Sequence, residues 1–345
     1  MTIYSDIFEQ PRVARRLLEE QRESIAETAR FIQEQNCNHV LIVARGTSDN
    51  AGRYAKYLWG SMNGLLVSLA APSLFTMYHM PPSLAGTLVV GISQSGQSPD
   101  IVTVLKEARS QGCPTVVITN APDSPLARHA DRVVDVCAGE EKAVAATKSY
   151  QAQVMVVAML SAALRGSPEM GAALEKVPGW IEEVLEKDAQ IAQLAQRYTY
   201  MDTCAVVSRG YNYGSAFEWA LKMKEMAYVV ADPYSTADFL HGPIAVVERG
   251  FPVMVIAPSG VMYDDLKALT RKLHEETRAD VLVISDNPAL ADFATSFVQL
   301  PAGIPEWLSP VVSIVPAQLF AYYLTRSKGL DTESPRGLKK VTETL

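Results

Sequence analysis

Hydrophobic positions along the chain form short β-branched runs that alternate with longer segments of helical periodicity. This alternation is typical of a parallel sheet covered by helices. In the first half of the chain the pattern predicts strands at residues 39–44, 65–69, 87–92, 115–119 and 132–136. In the second half it predicts strands at residues 203–208, 252–257, 280–285 and 296–300. We therefore expect an α/β protein with mostly parallel sheets flanked by helices.

The helical segments suggest how the chain is divided. An amphipathic helix is predicted over residues 13–35, and polar Asn36-Cys37-Asn38 ends it. Apolar positions at helical spacing over residues 170–197 predict helices between the two halves. The predicted parts are an N-terminal helical segment, a first domain, connecting helices, a second domain and a C-terminal tail, at residues 1–35, 36–168, 169–198, 199–330 and 331–345.

The two halves match each other at a constant offset of 164 residues. Val43-Ala44-Arg45-Gly46 corresponds to Val207-Ser208-Arg209-Gly210, and Ser95-Gly96 corresponds to Ser259-Gly260. Short α/β units resemble one another in general, but a shared register across several landmarks favours an internal duplication.

Composition narrows the function classes. The 345 residues are 48% hydrophobic and 20% charged, with a net charge of −7, which argues against general binding to nucleic acid or anionic membranes. The four cysteines are scattered, and this argues against a zinc site or a disulfide framework. The N-terminus has no signal-peptide pattern, and the longest apolar stretch, 154–164, is too short to span a bilayer. We expect a soluble, cytoplasmic protein that binds any anion at a local site.

Two loops that follow predicted strands are rich in hydroxyl groups. Residues 44–48 read Ala-Arg-Gly-Thr-Ser, and residues 93–98 read Ser-Gln-Ser-Gly-Gln-Ser before Pro99, a favoured first helical residue. Hydroxyl and N–H groups at such helix starts bind phosphate without basic residues. Either loop alone is compatible with a capped turn, but two in one half favour a phosphate site. The corresponding loops of the second half, 209–212 and 258–261, are poorer in hydroxyls, so we expect that copy to have lost its own site.

Titratable residues in the second half have an ordinary interpretation when taken alone. Glu218, Lys222 and Glu225 are spaced i, i+4 and i+7, so they share one helix face, and the spacing by itself favours a solvent-exposed, salt-bridged stripe. His241 precedes a Gly-Pro turn and by itself indicates polar surface. Residues 333–340 have the composition of a frayed polar tail.

Taken together, the loops at 44–48 and 93–96 resemble the signature of the sugar isomerase (SIS) domain family, and the resemblance covers nearly the whole chain. It implies two tandem SIS domains, each a three-layer αβα sandwich with a flavodoxin-like sheet. The chain is similar to the isomerase half of glucosamine-6-phosphate synthases and to their stand-alone relatives. The segment 144–148, Val-Ala-Ala-Thr-Lys, resembles the family's V-A-S-T-K loop.

The resemblance implies a role for each matching residue. Glu225 would move a proton between C1 and C2 of the open-chain sugar, His241 would open the pyranose ring from a neighbouring subunit, and Lys340 would contact the sugar from the tail. Lys340 could form a Schiff base with a keto sugar or stabilise the developing enolate. The implied substrate-binding residues are Thr47, Ser48, Ser93, Gln94, Ser95, Ser98, Val144 and Lys222. The approach to His241, Asp238-Phe239-Leu240, departs from the family's Glu-Leu-Lys, as do Gly337 and Lys339 in the tail.

A reaction follows as a hypothesis from the resemblance. Met1 lies within about a dozen residues of the first predicted helix, which leaves no room for a glutaminase domain. We therefore expect a glucosamine-6-phosphate deaminase that yields fructose 6-phosphate and ammonia without a metal or other cofactor. One active site per chain would be assembled from both halves and completed in a homodimer. The alternatives are a synthase-like isomerase without a glutaminase domain, a plain aldose–ketose isomerase, a fructosamine-6-phosphate deglycase, or a non-catalytic sugar-phosphate sensor.

Overall fold

The computed structural model describes residues 2–340, which form two compact units. The N-terminal unit comprises Glu9–Lys142, Ala146–Lys176 and residues 338–340. The C-terminal unit comprises residues 2–8, Ala143–Ala145 and Val177–Gly337. Each unit contains a five-stranded parallel sheet with helices on both faces. The predicted α/β class and the two three-layer domains are confirmed.

The sheet of the N-terminal unit has the strand order β2-β1-β3-β4-β5. Its strands are β1 (His39–Val43), β2 (Leu66–Leu69), β3 (Thr87–Ser93), β4 (Thr115–Thr119) and β5 (Arg132–Asp135). Its helices are α2 (Gln10–Glu20), α3 (Arg22–Glu34), α4 (Gly46–Asn63), α5 (Ser73–Thr76), α6 (Pro99–Ser110), α7 (Lys148–Arg165) and α8 (Pro168–Leu174), numbered after α1 (Ile3–Phe8) of the other unit.

Alternate residues of the inner strand β1 face the two helical layers of this unit. Leu41 and Val43 pack in a cluster with Val104 of α6, whereas Ile42 points at α4, where it contacts Gly52. The buried indole of Trp59 on α4 donates a hydrogen bond to the Val157 carbonyl of α7 at 3.1 Å. Because both faces of the sheet are covered in this way, its inner strands β1, β3 and β4 are mostly hydrophobic along their length.

The C-terminal unit repeats this topology, with the strand order β10-β9-β8-β6-β7. Its strands are β6 (Thr203–Ser208), β7 (Val230–Ser235), β8 (Pro252–Ile256), β9 (Asp280–Ser285) and β10 (Ser296–Gln299). Its helices, besides α1, are α9 (Val177–Leu185), α10 (Asp188–Gln196), α11 (Tyr213–Met226), α12 (Thr236–Leu240), α13 (Tyr263–Lys272) and α14 (Ser309–Ser327). The segment Glu306–Ser327 is long and apolar enough to cross a membrane, but it is almost wholly buried within this unit as a core helix.

The structure differs from the sequence expectations at two places. The helix predicted over 13–35 is two helices, α2 and α3, separated at Gln21. Strand β7 was missed because it is a partly exposed edge strand with Asp232 and Pro233 in its middle. Proline donates no hydrogen bond, so it is tolerated at a sheet edge, where the apolar pattern of a buried strand is also absent.

Two glycines of α4 offer a matched test of how closely this helix packs on the sheet. A Cβ on Gly52 would lie 3.1 Å from a methyl of Ile42 and 3.2 Å from a methyl of Leu69, whereas a Cβ on Gly60 would be no closer than 3.6 Å to a neighbour. Replacing glycine by alanine in a helix interior raises the free energy of unfolding by about 0.5–1 kcal/mol when the methyl group fits. We therefore expect Gly60→Ala to raise the free energy of unfolding in urea titrations. Gly52→Ala should not raise it, because Ile42 and Leu69 must move; equal gains at both positions would contradict this packing.

Candidate functional site

The two hydroxyl-rich loops of the N-terminal unit lie side by side at one edge of the sheet. Strands β1 and β3 are neighbours, with Val43 paired to Gly91, and both end at this edge. The guanidinium Nε of Arg45, after β1, lies 2.6 Å from the carboxylate of buried Asp100 in the first turn of α6. Between β1 and β3 the strand order reverses direction, and this is where ligands bind in open α/β sheets.

The residues predicted to hold phosphate line the start of two helices. Thr47 and Ser48 lie in the first turn of α4, and Ser98 occupies the N-cap position of α6. We call residues 93–98 the serine loop. In it, Ser93 Oγ accepts a hydrogen bond from the N–H of Gly96 at 3.1 Å, and Ser95 Oγ accepts one from the N–H of Gln97 at 3.3 Å. Since each oxygen is used as an acceptor, each hydroxyl hydrogen can still donate to an anion.

Backbone contacts hold the serine loop against its neighbour. The carbonyl of Gln94 accepts from the Asn120 N–H at 3.2 Å, and the carbonyl of Gly96 accepts from the Leu126 N–H at 3.1 Å. Gly96 has a φ of +61°, and a Cβ there would lie 2.0 Å from Ser124 Oγ. The loop is therefore a preformed backbone cradle whose shape requires glycine at this position.

The corresponding loop of the C-terminal unit is filled by a side chain of the same unit. The carboxylate of Glu306 accepts hydrogen bonds from the N–H groups of Val261 at 2.8 Å and Met262 at 3.4 Å, immediately before α13. A Cβ on Gly260, the counterpart of Gly96, would lie 2.2 Å from the Glu306 carboxylate carbon. The place that an anion would take at this helix start is thus taken by an internal carboxylate. The expectation that the second copy lost its own phosphate site stays a prediction.

One ion pair is repeated in both units. Arg209, the counterpart of Arg45, lies 2.9 Å from the carboxylate of Asp265 in the first turn of α13. The corresponding distance from Arg45 to Asp100 in α6 is 2.6 Å. The sequence offsets are 164 residues for the arginines and 165 for the aspartates. The pair links the loop after the first strand of each sheet to the helix after the third. Its presence in both copies indicates a structural role inherited through the duplication.

The three titratable residues predicted on α11 lie together, but not as a solvent-exposed stripe. Glu218 and Lys222 are fully buried, and Glu225 keeps 24% of its side chain exposed. Lys222 Nζ donates to Glu225 at 2.5 Å and lies 3.4 Å from Glu218. The exposed stripe expected from spacing alone is wrong, because this face of the helix is buried. Burial of a lysine between two carboxylates is tolerated only when their charges pair. The result is a fixed ammonium that orients one accessible carboxylate.

His241 is exposed just after α12. In the part of the chain that the structure describes, its hydrogen bonds are those of its backbone N–H, which donates to the carbonyls of Ala237 and Asp238 at 3.2 Å. Ser235 begins α12, and its Oγ accepts from the Asp238 N–H at 3.1 Å. The local structure thus presents the imidazole to solvent.

The C-terminal tail is ordered by specific contacts as far as Lys340. The N–H of Arg336 donates to the hydroxyl of Tyr228 at 2.8 Å, and the Arg336 guanidinium lies over the Tyr228 ring at 4.1 Å from its centroid. In the N-terminal unit, Lys340 Nζ lies 3.2 Å from the carboxylate of Glu141. The composition of the tail indicated a frayed segment, and residues 333–340 do not behave as one. Residues 341–345 lie outside the described chain.

Glu141 is a site residue that the sequence reasoning missed. Its side chain is fully buried, yet it follows Glu140 in a run that reads as polar surface. Burial alone would raise the pKa of this carboxyl, but the Lys340 ammonium and hydrogen bonds from Ser149 and Thr147 outweigh it and hold the pKa below its ordinary value. Val144, predicted to line the same pocket, is half-buried in the loop that follows Glu141. The one indication of Glu141 in the sequence was its position three residues before the 144–148 segment.

Comparisons with known proteins agree with this architecture. The family model described as the SIS domain matches residues 35–163 and 201–327. The chain is 34% identical to glutamine–fructose-6-phosphate aminotransferase (isomerizing) of Gloeobacter violaceus over 97% of its own length and 36% identical to that of Methanothermobacter thermautotrophicus over 87%. It spans 57% and 51% of those two relatives. The C-terminal domain of glucosamine-fructose-6-phosphate aminotransferase from Francisella tularensis superposes with a TM-score of 0.86 at 26% identity, covering 96% of this chain and 98% of that one.

Substitution of Glu306 tests whether an internal carboxylate fills the anion position of the second copy. Glu306→Ala leaves two N–H groups at the start of α13 without their acceptor, so we expect a loss of about 1–3 kcal/mol in the free energy of unfolding. Glu306→Gln keeps an acceptor but removes the negative charge near the helix N-terminus. Its free energy of unfolding should lie between those of the parent protein and Glu306→Ala. Denaturant titration of the three proteins checks the order. A fully stable Glu306→Ala protein would show that the carboxylate contributes nothing at this position.

Proposed function

This chain belongs to the SIS domain family, with two copies of the domain, and from that premise we propose that it isomerises an amino-sugar 6-phosphate. In the direction that we propose, glucosamine 6-phosphate and water give fructose 6-phosphate and ammonia. The observation that carries the proposal is the buried Lys222 that holds one accessible carboxylate, Glu225. A general base needs to be within reach of its substrate, and the ammonium of Lys222 at 2.5 Å holds this partly exposed carboxylate in one orientation.

The serine loop supports a phosphorylated substrate. Its hydroxyls and the N-terminus of α6 form a cradle of neutral donors, which suits the two negative charges of a phosphate monoester in an acidic protein. The relatives support a sugar 6-phosphate, since their names specify fructose 6-phosphate. We assign the phosphate to Thr47, Ser48, Ser93, Gln94, Ser95 and Ser98, with Val144 beside the sugar.

The proposed reaction is a proton transfer followed by hydrolysis of an imine. After ring opening, Glu225 removes the proton from C2 of the open-chain aldose and returns it to C1, while the C2 amine loses a proton and the C1 oxygen gains one. The resulting C2 imine adds water and releases ammonia, leaving the ketose. The ammonium of Lys222 keeps Glu225 oriented, and Lys340 binds the open-chain sugar. Each of these steps requires only proton transfer by ordinary side chains.

We assign ring opening to His241. Its imidazole is exposed, and this supports contact with a substrate that is bound by another subunit. We propose that it acts on the substrate of a second copy of the chain, in a homodimer with shared active sites. Mixing a Glu225→Gln protein with a His241→Asn protein tests this, because hybrid dimers would regain one intact site. Failure of mixed subunits to regain activity after exchange would place His241 at its own chain's substrate.

Substitution of Glu225 tests the proton transfer. We expect Glu225→Gln to lower kcat for ammonia release from glucosamine 6-phosphate by about 10²–10⁴-fold, since the amide cannot accept the proton. Incorporation of solvent deuterium into product fructose 6-phosphate, read by mass spectrometry, should fall in parallel. Glu276→Gln, an exposed carboxylate on the same unit, is the matched control and should leave both rates unchanged. Full turnover by Glu225→Gln would exclude Glu225 as the base.

Substitutions in the serine loop test the phosphate assignment. Ser95→Ala combined with Ser98→Ala removes two hydroxyl donors, and about 1.5–3 kcal/mol for each hydrogen bond to a charged group predicts at least a tenfold rise in KM. Binding of unphosphorylated glucosamine should not change. Ser110→Ala, at the exposed far end of α6, is the control. Equal weakening of phosphorylated and unphosphorylated sugars would show that the loop acts only on the fold.

A further inference from the structure

We propose that Glu141 is a positioning residue for this reaction: it fixes the amine of Lys340 at the start of α7. The inference rests on the proposed function for its consequence in catalysis. It rests only on geometry for the pairing itself, since both residues belong to the N-terminal unit.

The carboxylate of Glu141 is buried among donors. Ser149 Oγ donates to it at 2.6 Å, and the N–H groups of Thr147 and Ser149 donate at 2.9 and 3.2 Å. Lys340 Nζ completes the set at 3.2 Å. A buried ionised carboxylate is tolerated only with such a set of partners. Glu141 is therefore a rigid, negatively charged group.

The position of Glu141 relative to α7 adds to its stability as an anion. The two N–H groups that it accepts from belong to Thr147, the N-cap residue of α7, and Ser149 in its first turn. The positive end of an 18-residue helix thus faces the carboxylate. With Lys340 also in contact, Glu141 is stabilised both by the positive end of a helix and by an ammonium group.

Lys340 needs an anchor more than Glu141 does. Its side chain is 26% exposed, and holding a lysine in one rotamer costs side-chain entropy. A fixed carboxylate restricts the amine to one place, which benefits either a Schiff base or electrostatic stabilisation of an enolate. The alternative is that Glu141 only caps α7, in which case Lys340 is incidental.

The two explanations predict different effects of an amide. A cap requires an acceptor, and the Oε1 of glutamine accepts from Thr147 and Ser149 as glutamate does. Anchoring of an ammonium requires the charge, which glutamine lacks. Glu141→Gln should therefore leave the protein folded, with circular dichroism and a melting transition like those of the parent, and yet change what Lys340 can do.

A double-mutant cycle with Lys340→Met is the functional test. We expect Glu141→Gln to lower kcat at least tenfold while KM changes less than about threefold, and to add less than about twofold in the Lys340→Met background. Glu141→Asp, which keeps the charge, should recover part of the loss. Glu140→Gln, an exposed neighbour, is the control. Additive effects of the two substitutions, or an unchanged kcat in Glu141→Gln, would overturn the proposal.

Chemical labelling of Lys340 separates this inference from the proposed function. Contact with the carboxylate restrains the Lys340 amine, so limited acetylation quantified by mass spectrometry should label Lys340 several-fold faster in Glu141→Gln than in the parent protein. Lys142, an exposed lysine, should be labelled equally in both. A parent protein that turns over no amino-sugar phosphate but shows this labelling difference would refute the function and support the pairing. Equal labelling of Lys340 in both proteins would overturn the pairing.

Discussion

Burial of charged side chains that are paired within their own unit is the constraint on which the functional parts of this chain depend. Lys222 is buried on α11 between Glu218 and Glu225, and Asp100, buried in the first turn of α6, pairs with Arg45. Removal of one partner from a buried ion pair typically costs several kcal/mol. Each pair therefore has a fixed geometry, and its partly exposed member, Glu225 or Arg45, is held in one orientation.

The duplication shows what the fold requires and what a binding site adds. Both copies keep a parallel sheet with the same strand order and an arginine–aspartate pair between the first and third βα loops. They differ in what occupies the anion position at the helix start. The first copy presents hydroxyls there, whereas in the second Glu306 supplies the negative charge from within. A helix N-terminus favours an anion in either case, and in the second copy the internal carboxylate of Glu306 takes that position.

The candidate chemistry is divided between neutral and charged groups according to what each must bind. The serine loop presents hydroxyl and N–H donors, and donors of this kind bind an anion without requiring a basic surface on a protein of net charge −7. The candidate proton-transfer set contains a partly exposed carboxylate that is held by a buried ammonium. Glu141 and Lys340 form a further charged pair, in which the carboxylate is buried and the ammonium is partly exposed.

The sequence by itself determined the α/β class, the duplication, nine of the ten strands within a residue or two, and the serine loop, because buried strands and hydroxyl-rich helix starts are local patterns. It did not determine β7, whose edge position removes the apolar pattern. Spacing alone could show that Glu218, Lys222 and Glu225 share a helix face, but not that the face is buried. Nor could it show that Glu141 meets Lys340, 199 residues away, or that Glu306 meets Val261. Burial and long-range pairing of charges depend on which helices pack together, and only the tertiary structure decides that.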